Sequence, residues 1–213
     1  MNKEQQKKYL NNLPIYDAFI EEGDLESGIK FISLVADPAI EIKGFCFANT
    51  NLKEFHLAVN KEKQIVAGPA MIPGKLILRE DDNGNFFYIR FSREEVKKIF
   101  DKFNKNNNSR SINLDHTDRM VPGYIEQFWY VADPIYDKSK IYGFNLPVGT
   151  PFYEVHIEDK KFWESEVKEL QQCGFSIQGD FFQSLSNFNE ITLPDIIDIL
   201  DDEEIMDIVK SLN

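Results

Sequence analysis

Along most of the chain, apolar and polar positions alternate in short blocks, and Gly, Pro, Asn and Asp separate the blocks. Such spacing predicts strands joined by turns. "GIKFISLV" (28–35) reads as a strand that runs out at the turn signal Asp37-Pro38. "GFCFA" (44–48) and "EFHLAV" (54–59) are further apolar stretches. "KQIVAGPAMIPGKLILRE" (63–80) reads as strand, turn, strand, punctuated by Gly68-Pro69 and Pro73-Gly74. "DDNGN" (81–85) signals a hairpin turn, and "FFYIRF" (86–91) is the returning strand. The pattern then changes period. Ser92 and Glu95 have the spacing of a capping box, in which each side chain satisfies a free backbone N–H at a helix start. Val96, Ile99, Phe100 and Phe103 follow at helical spacing, which predicts an amphipathic helix with an apolar core face.

Beyond the polar loop "NKNNNS", "SINLDH" (111–116) reads as a short strand ending at His116. "GYIEQFWYV" (123–131) and "GTPFYEVHI" (149–157) are two more strands. The tetrapeptide "VADP" occurs at 35–38 and 131–134, and both copies read as strand exits with the same turn chemistry. A helix is predicted near 160–172, with Trp163, Val167 and Leu170 as its apolar stripe and Gly174 as its C-cap. Ser176 lies on the next strand. The end of the chain, "NEITLPDIIDILDDEEIMDIVKSLN", sets Ile196, Ile197 and Leu200, then Ile205, Val209 and Leu212, on the apolar side of acidic helices. The order implies an α+β fold with a mainly antiparallel sheet, a barrel or half-barrel. Three segments are expected: an N-terminal arm (1–27), a body (28–185) and an acidic amphipathic helical tail (186–213).

Composition narrows the classes. With 213 residues and 42% hydrophobic content the chain can build a core, and 18 Phe and 8 Tyr suit an aromatic β interior. A net charge of −12 repels phosphate backbones, so nucleic acid is not an expected partner. Two cysteines, Cys46 and Cys173, are too few for a disulfide framework and read as reduced thiols. The first residues, "MNKEQQKKYLNNL", hold no apolar signal-peptide core, and no run is long enough to span a membrane. The expectation is a soluble intracellular protein without a membrane partner.

Candidate chemistry starts from Ser176. Phe175, Ile177 and Phe181 are expected on one face of its strand, and Ser176, Gln178 and Asp180 on the other, polar face. Gly174 and Gly179 flank it and let other backbone approach closely. A serine nucleophile needs a base, and the chain has three histidines. His56 and His156 sit inside apolar alternation and read as ordinary strand residues. His116 ends a strand beside Asp115 and Thr117, at the edge of a loop, which suits a base. Cys173, at a helix end, reads as a small buried hydrophobe rather than a rival nucleophile. No cysteine or histidine pair has zinc spacing, no glycine-rich phosphate loop occurs, and the acidic clusters lack the calcium-loop pattern. No metal and no cofactor are expected.

Several stretches in order then resemble a known family. They are "SLVADPAIE", "IVAGPAMIPGKLILR", "FSREEVKKIF", "INLDH", "IEQFWYV", "LPVGTPFYEVHIEDKKFW" and "GFSIQGDF". Together, over about residues 28–182, they resemble the prohead (capsid maturation) serine proteases of tailed phages, in the branch found in phage-like prophage elements. The resemblance implies a fold shared with herpesvirus assemblins, a small antiparallel β-barrel ringed by helices. It implies that His116 is the base and Ser176 the nucleophile of an endopeptidase. The implied substrates are the scaffold and major capsid proteins, cleaved inside the assembling prohead in the host cytoplasm, and self-association is a further implied contact. The chain departs from the family pattern at one point. Where an acid precedes the "Val-Ser-Leu-Val"-like strand in relatives, Lys30 and Phe31 stand. The expected third member is Glu126, on the strand after His116. Asp180, on the face of Ser176, is too far along its strand to serve the same imidazole. Two other readings stand beside this one: a catalytically inactive head assembly or scaffold protein on the same fold, and an unrelated binding module.

Overall fold

The computed structural model describes residues 12–21, 23–35, 45–46, 63–168 and 174–186. Its described residues form a mixed α+β fold with mostly antiparallel strands and two short helices, and they group into two units. Among them no helix is long and apolar enough to cross a membrane.

The first unit takes in the described parts of Met1–Ala18, Gly74–Phe91 and Gln183–Asn213. It carries a four-stranded sheet of β1 (Ile15–Phe19), β5 (Ile77–Glu80), β6 (Phe86–Arg90) and β11 (Phe182–Leu185), in the order β11-β1-β6-β5. The hairpin β5/β6 closes as the "DDNGN" signal predicts. Asp81 accepts from the N–H groups of Asn83 and Asn85, each at 2.9 Å, and Gly84 takes φ +80°. β1 runs parallel to β6, with Ile15 beside Tyr88. Asp17 ties the sheet together, accepting from Arg90 Nε at 2.6 Å and from Ser186 Oγ at 2.7 Å. The segment expected as an N-terminal arm thus contains a strand, β1.

The second unit takes in the described parts of Phe19–Pro73 and Ser92–Phe182. One of its sheets has the order β10-β2-β7, from β2 (Gly28–Val35), β7 (Ile112–Leu114) and β10 (Gly174–Asp180). β2 is antiparallel to β10 and parallel to β7. The other has the order β3-β4-β9-β8, from β3 (Phe45–Cys46), β4 (Ile65–Pro69), β8 (Gly123–Tyr130) and β9 (Pro151–Ile157), antiparallel throughout. Phe152 of β9 centres a core cluster with Ile65, Ala67, Val131 and Leu146, and its ring stacks on Trp129 at 4.6 Å.

Helix α1 (Arg93–Lys105) packs on β2 and β9. Val96, Ile99, Phe100 and Phe103 are all buried, as their spacing predicts. Burying each contributes on the order of 2 kcal/mol. Ser92 Oγ accepts from the Glu95 N–H at 3.2 Å, which is half of the expected capping box. The Glu95 carboxylate turns elsewhere, accepting from the Ile20 N–H at 3.3 Å and from Lys98. The helix expected near 160–172 is a single α turn, α2 (Lys160–Phe162), that widens into a π-helical stretch over Trp163–Lys168. Trp163 and Val167 are buried there, whereas Leu170 lies outside the described residues. Gly174 is not a helix cap: it opens β10, paired with Val35. The stretch 54–59 and the acidic helices of the tail also lie outside the described residues.

Candidate active site

Three strands of the β10-β2-β7 sheet carry the same local pattern: a polar residue between two apolar ones. The triplets are Ile32-Ser33-Leu34, Ile112-Asn113-Leu114 and Phe175-Ser176-Ile177. The strand registers align them. Ser176 stands opposite Ser33, and Ser33 beside Asn113. Residues opposite one another project to the same face, so the three polar side chains form a row. The flanking apolar residues go to the other face, where Ile32, Leu34, Ile112 and Phe175 are each 0% exposed.

The polar row is itself internal. Ser33 is 0% exposed, Asn113 2% and Ser176 8%. The expectation of a serine on an open polar face is therefore corrected: the face that carries Ser176 is covered as well as the one opposite. Buried polar groups must be hydrogen-bonded or they cost stability, and two of the three members of this row are. Ser33 Oγ donates to Asn113 Oδ1 at 2.6 Å, and Asn113 Nδ2 donates to Gln178 Oε1 at 2.6 Å. Ser176 Oγ makes no hydrogen bond among the described residues.

His116 reaches this row from beyond the end of β7. The strand stops at Leu114, two residues earlier than the sequence suggests, and the chain turns sharply. Asp115 and His116 both take left-handed backbone, with φ +49° and +56°. Consecutive left-handed residues other than glycine are uncommon and cost free energy, so the surroundings must hold them. The Asp115 N–H donates to Leu34 O, and Thr117 donates to Leu114 O through both its N–H and its Oγ1. The result sets His116 Nδ1 3.0 Å from Ser33 Oγ. The imidazole is exposed while Ser33 is buried, so the pair spans the boundary between solvent and interior. Ser176 and His116 are thus joined through one residue, the cross-strand partner of the first and the hydrogen-bond partner of the second.

Glu126 does not occupy the place expected of it. It sits where the pairing of β8 with β9 slips by one residue, and its carboxylate lies 3.5 Å from His156 Nδ1. The bulge leaves Glu126 without a direct cross-strand partner and aims it along β9 toward His156. His156 in turn stacks on Tyr124, with ring centroids 5.4 Å apart. Asp180 is taken up by Lys30 across β10 and β2, and that bond together with the carboxylate's charge raises the lysine pKa above its ordinary value. His56 and Cys173 lie outside the described residues. No group of three or more His, Cys, Asp or Glu able to hold a metal occurs among the described residues.

Sequence reasoning missed Ser33, Asn113 and Gln178 as site residues. The signal was present, because a lone polar residue centred in an apolar triplet recurs on three strands. Its meaning depends on register, which brings positions 33, 113 and 176 side by side. Comparison with protein-family models, with curated proteins and with solved structures returned no match to this chain.

Proposed function

We propose that the chain is a serine endopeptidase in which Ser176 is the nucleophile and His116 the base. One observation carries this reading: Ser176 faces Ser33 across β10 and β2, and Ser33 Oγ lies 3.0 Å from His116 Nδ1. A serine hydroxyl is a weak nucleophile until a base removes its proton, and the base must be held within hydrogen-bond reach of it. Cross-strand partners have Cβ atoms about 5 Å apart, so Ser176 neighbours the serine that His116 touches. Ser33 is the poorer nucleophile, being fully buried and committed to Asn113. In the reaction Ser176 Oγ bonds to the scissile carbonyl carbon as its proton passes to His116. The imidazolium then returns a proton to the departing amine, and water completes the second half in the same way.

The biological setting rests on the family resemblance of the sequence stretches. On that basis the fold is of the prohead-protease and assemblin type, the substrates are phage scaffold and major capsid proteins, and the work is done within the assembling prohead. A second reading, a catalytically inactive head protein on the same fold, is favoured by one observation: the acid expected beside the base, Glu126, stands 3.5 Å from another histidine, His156. A fluorophosphonate probe separates the two. The endopeptidase is expected to label at Ser176, with labelling lost in His116→Ala. Absence of labelling in the intact chain, or labelling that survives Ser176→Ala, overturns the proposal.

A further inference from the structure

His116 stands in a loop that must keep two strained residues in place. Asp115 and His116 are both left-handed, and relaxation of either to ordinary backbone would re-aim the imidazole. Residues 115–120 are all exposed, so packing contributes little to that hold. Directed contacts at the two ends of the loop contribute more. At the entry, the Asp115 N–H donates to Leu34 O at 2.9 Å. At the exit, the loop closes on Arg119. Arg119 O accepts from the Leu114 N–H at 2.9 Å, and the Arg119 N–H donates to Thr117 Oγ1 at 3.2 Å. Thr117 Oγ1 in turn donates to Leu114 O at 2.6 Å. Met120 then pairs back with Asn113 as an antiparallel bridge. The backbone of Arg119 therefore completes a ring of hydrogen bonds around His116.

The side chain of the same residue leaves the loop. Its guanidinium donates from Nη2 to Glu166 Oε1 and lies over the Phe162 ring, 5.3 Å from the centroid. Both partners belong to the segment in which α2 widens into a π-helix. An ion pair between two flexible surface chains contributes little. This one differs on its acidic side. The Glu166 side chain is only 14% exposed, Phe162 is buried, and the buried Trp163 and Val167 fix the segment that carries them. The guanidinium is both paired and stacked, which restricts it in two directions.

We propose that Arg119 is a positioning residue: with Glu166 and Phe162 it straps the His116 loop to the helical segment 160–168 and so holds the imidazole at the polar row. The proposal rests on the reading of His116 as the base for its catalytic meaning. The next described strand after that segment is β10, which carries Ser176. One stretch of chain thus anchors the base and leads into the nucleophile.

The test uses the full chain with Arg119→Gln, Glu166→Gln and the double variant, and two measurements. The first is the NMR order parameter of the backbone amides of residues 115–118, well below the melting temperature. It is expected to fall from about 0.85 toward about 0.6 in either single variant. An ion pair that merely adds stability would lower the melting temperature and leave the order of the folded loop unchanged. The second is probe labelling at Ser176, expected to slow about 10-fold in either single variant, because a misplaced base is a poor one. The double variant is expected to be no slower than the worse single one, since the two residues act as a unit. The strap is overturned if the loop is already loose in the parent chain, or if its order is unchanged in both single variants. It is also overturned if the order falls while labelling keeps its parent rate, or if the two losses in labelling multiply. Should the order fall as expected while the intact chain never labels, the strap holds and the endopeptidase reading fails.

Discussion

Ser33 Oγ lies 3.0 Å from Nδ1 of His116, 83 residues further along the chain. Three separate features make that contact. The parallel register of β2 and β7 sets Ser33 beside Asn113. β7 stops at Leu114, where the Asp115 N–H closes onto Leu34 O of β2. Two left-handed residues then bring the imidazole back to β2. A buried serine is thereby the hinge between a candidate nucleophile on one neighbouring strand and a candidate base beyond the other.

The two facing serines are expected to differ in what they do for stability. Ser33→Ala removes the donor to Asn113 Oδ1, which is buried and has no water to turn to. Leaving such an acceptor unpaired costs about 1–3 kcal/mol. Ser176→Ala removes a hydroxyl with no hydrogen bond among the described residues, and the cost is expected to stay within about 0.5 kcal/mol. Thermal melts of the two variants measure the contrast. If Ser176→Ala loses as much as Ser33→Ala, Ser176 is a structural hydroxyl.

Glu126→Gln is expected to change probe labelling less than about twofold, because the carboxylate stands beside His156 on another sheet. A carboxylate that oriented the base would cost orders of magnitude when neutralised. Labelling rates of the variant and the parent chain decide it, and a drop of a hundredfold would return Glu126 to the site.

Much of this was legible in the residues. Alternation located most of the described strands, and the spacing of Val96, Ile99, Phe100 and Phe103 located α1, because both are consequences of local geometry. The α+β class followed from their order. What failed was what depends on tertiary partners. Glu95 looked like the second half of a capping box, yet its carboxylate bonds the distant Ile20 N–H. Glu126 looked well placed by its position in the chain, yet a bulge in β8 gives it to His156. Ser33 and Asn113 drew no separate reading within their strands, and only the pairing of β2 with β7 and β10 makes them neighbours of Ser176. Ser176 was expected on an open face because alternation reports which residues share a face, not whether that face is covered.

Gly179 is expected to tolerate no side chain. A Cβ at that position would lie 2.1 Å from Gly28 O and 2.9 Å from Ile29 Cα, both backbone atoms that cannot rotate aside. The residue sits where the register of β10 against β2 shifts, next to Gln178. Gly179→Ala is expected to cost about 1–3 kcal/mol by overpacking and to disturb the Gln178 end of the polar row. A melt and the rate of probe labelling at Ser176, measured on the same sample, check both parts. An unchanged melting temperature would mean that the bulge relaxes freely and exerts no control over the strand.

The last prediction concerns acid, in the first unit. Burial alone would push the Asp17 carboxyl up. The hydrogen bonds from Arg90 and Ser186, with the Arg90 charge, outweigh it, so the pKa lies below the ordinary carboxylate value. A proton therefore binds the unfolded chain more readily than the folded one. The stabilisation from Asp17 is fully present above the unfolded value of about 3.9 and is lost as pH falls through the lowered folded value. Other carboxylates titrate over the same range, so the useful quantity is a difference. The melting temperature of the parent chain is expected to exceed that of Asp17→Asn near neutral pH, and the gap is expected to close as pH falls toward about 2. The side chain of Asp17 is 40% exposed, so solvent and salt screen the pair, and the gap is expected to narrow in about 1 M salt as well. A gap that stays constant from neutral to acid would show that the carboxylate charge contributes nothing and that only the shape of the side chain matters to β1 and β6.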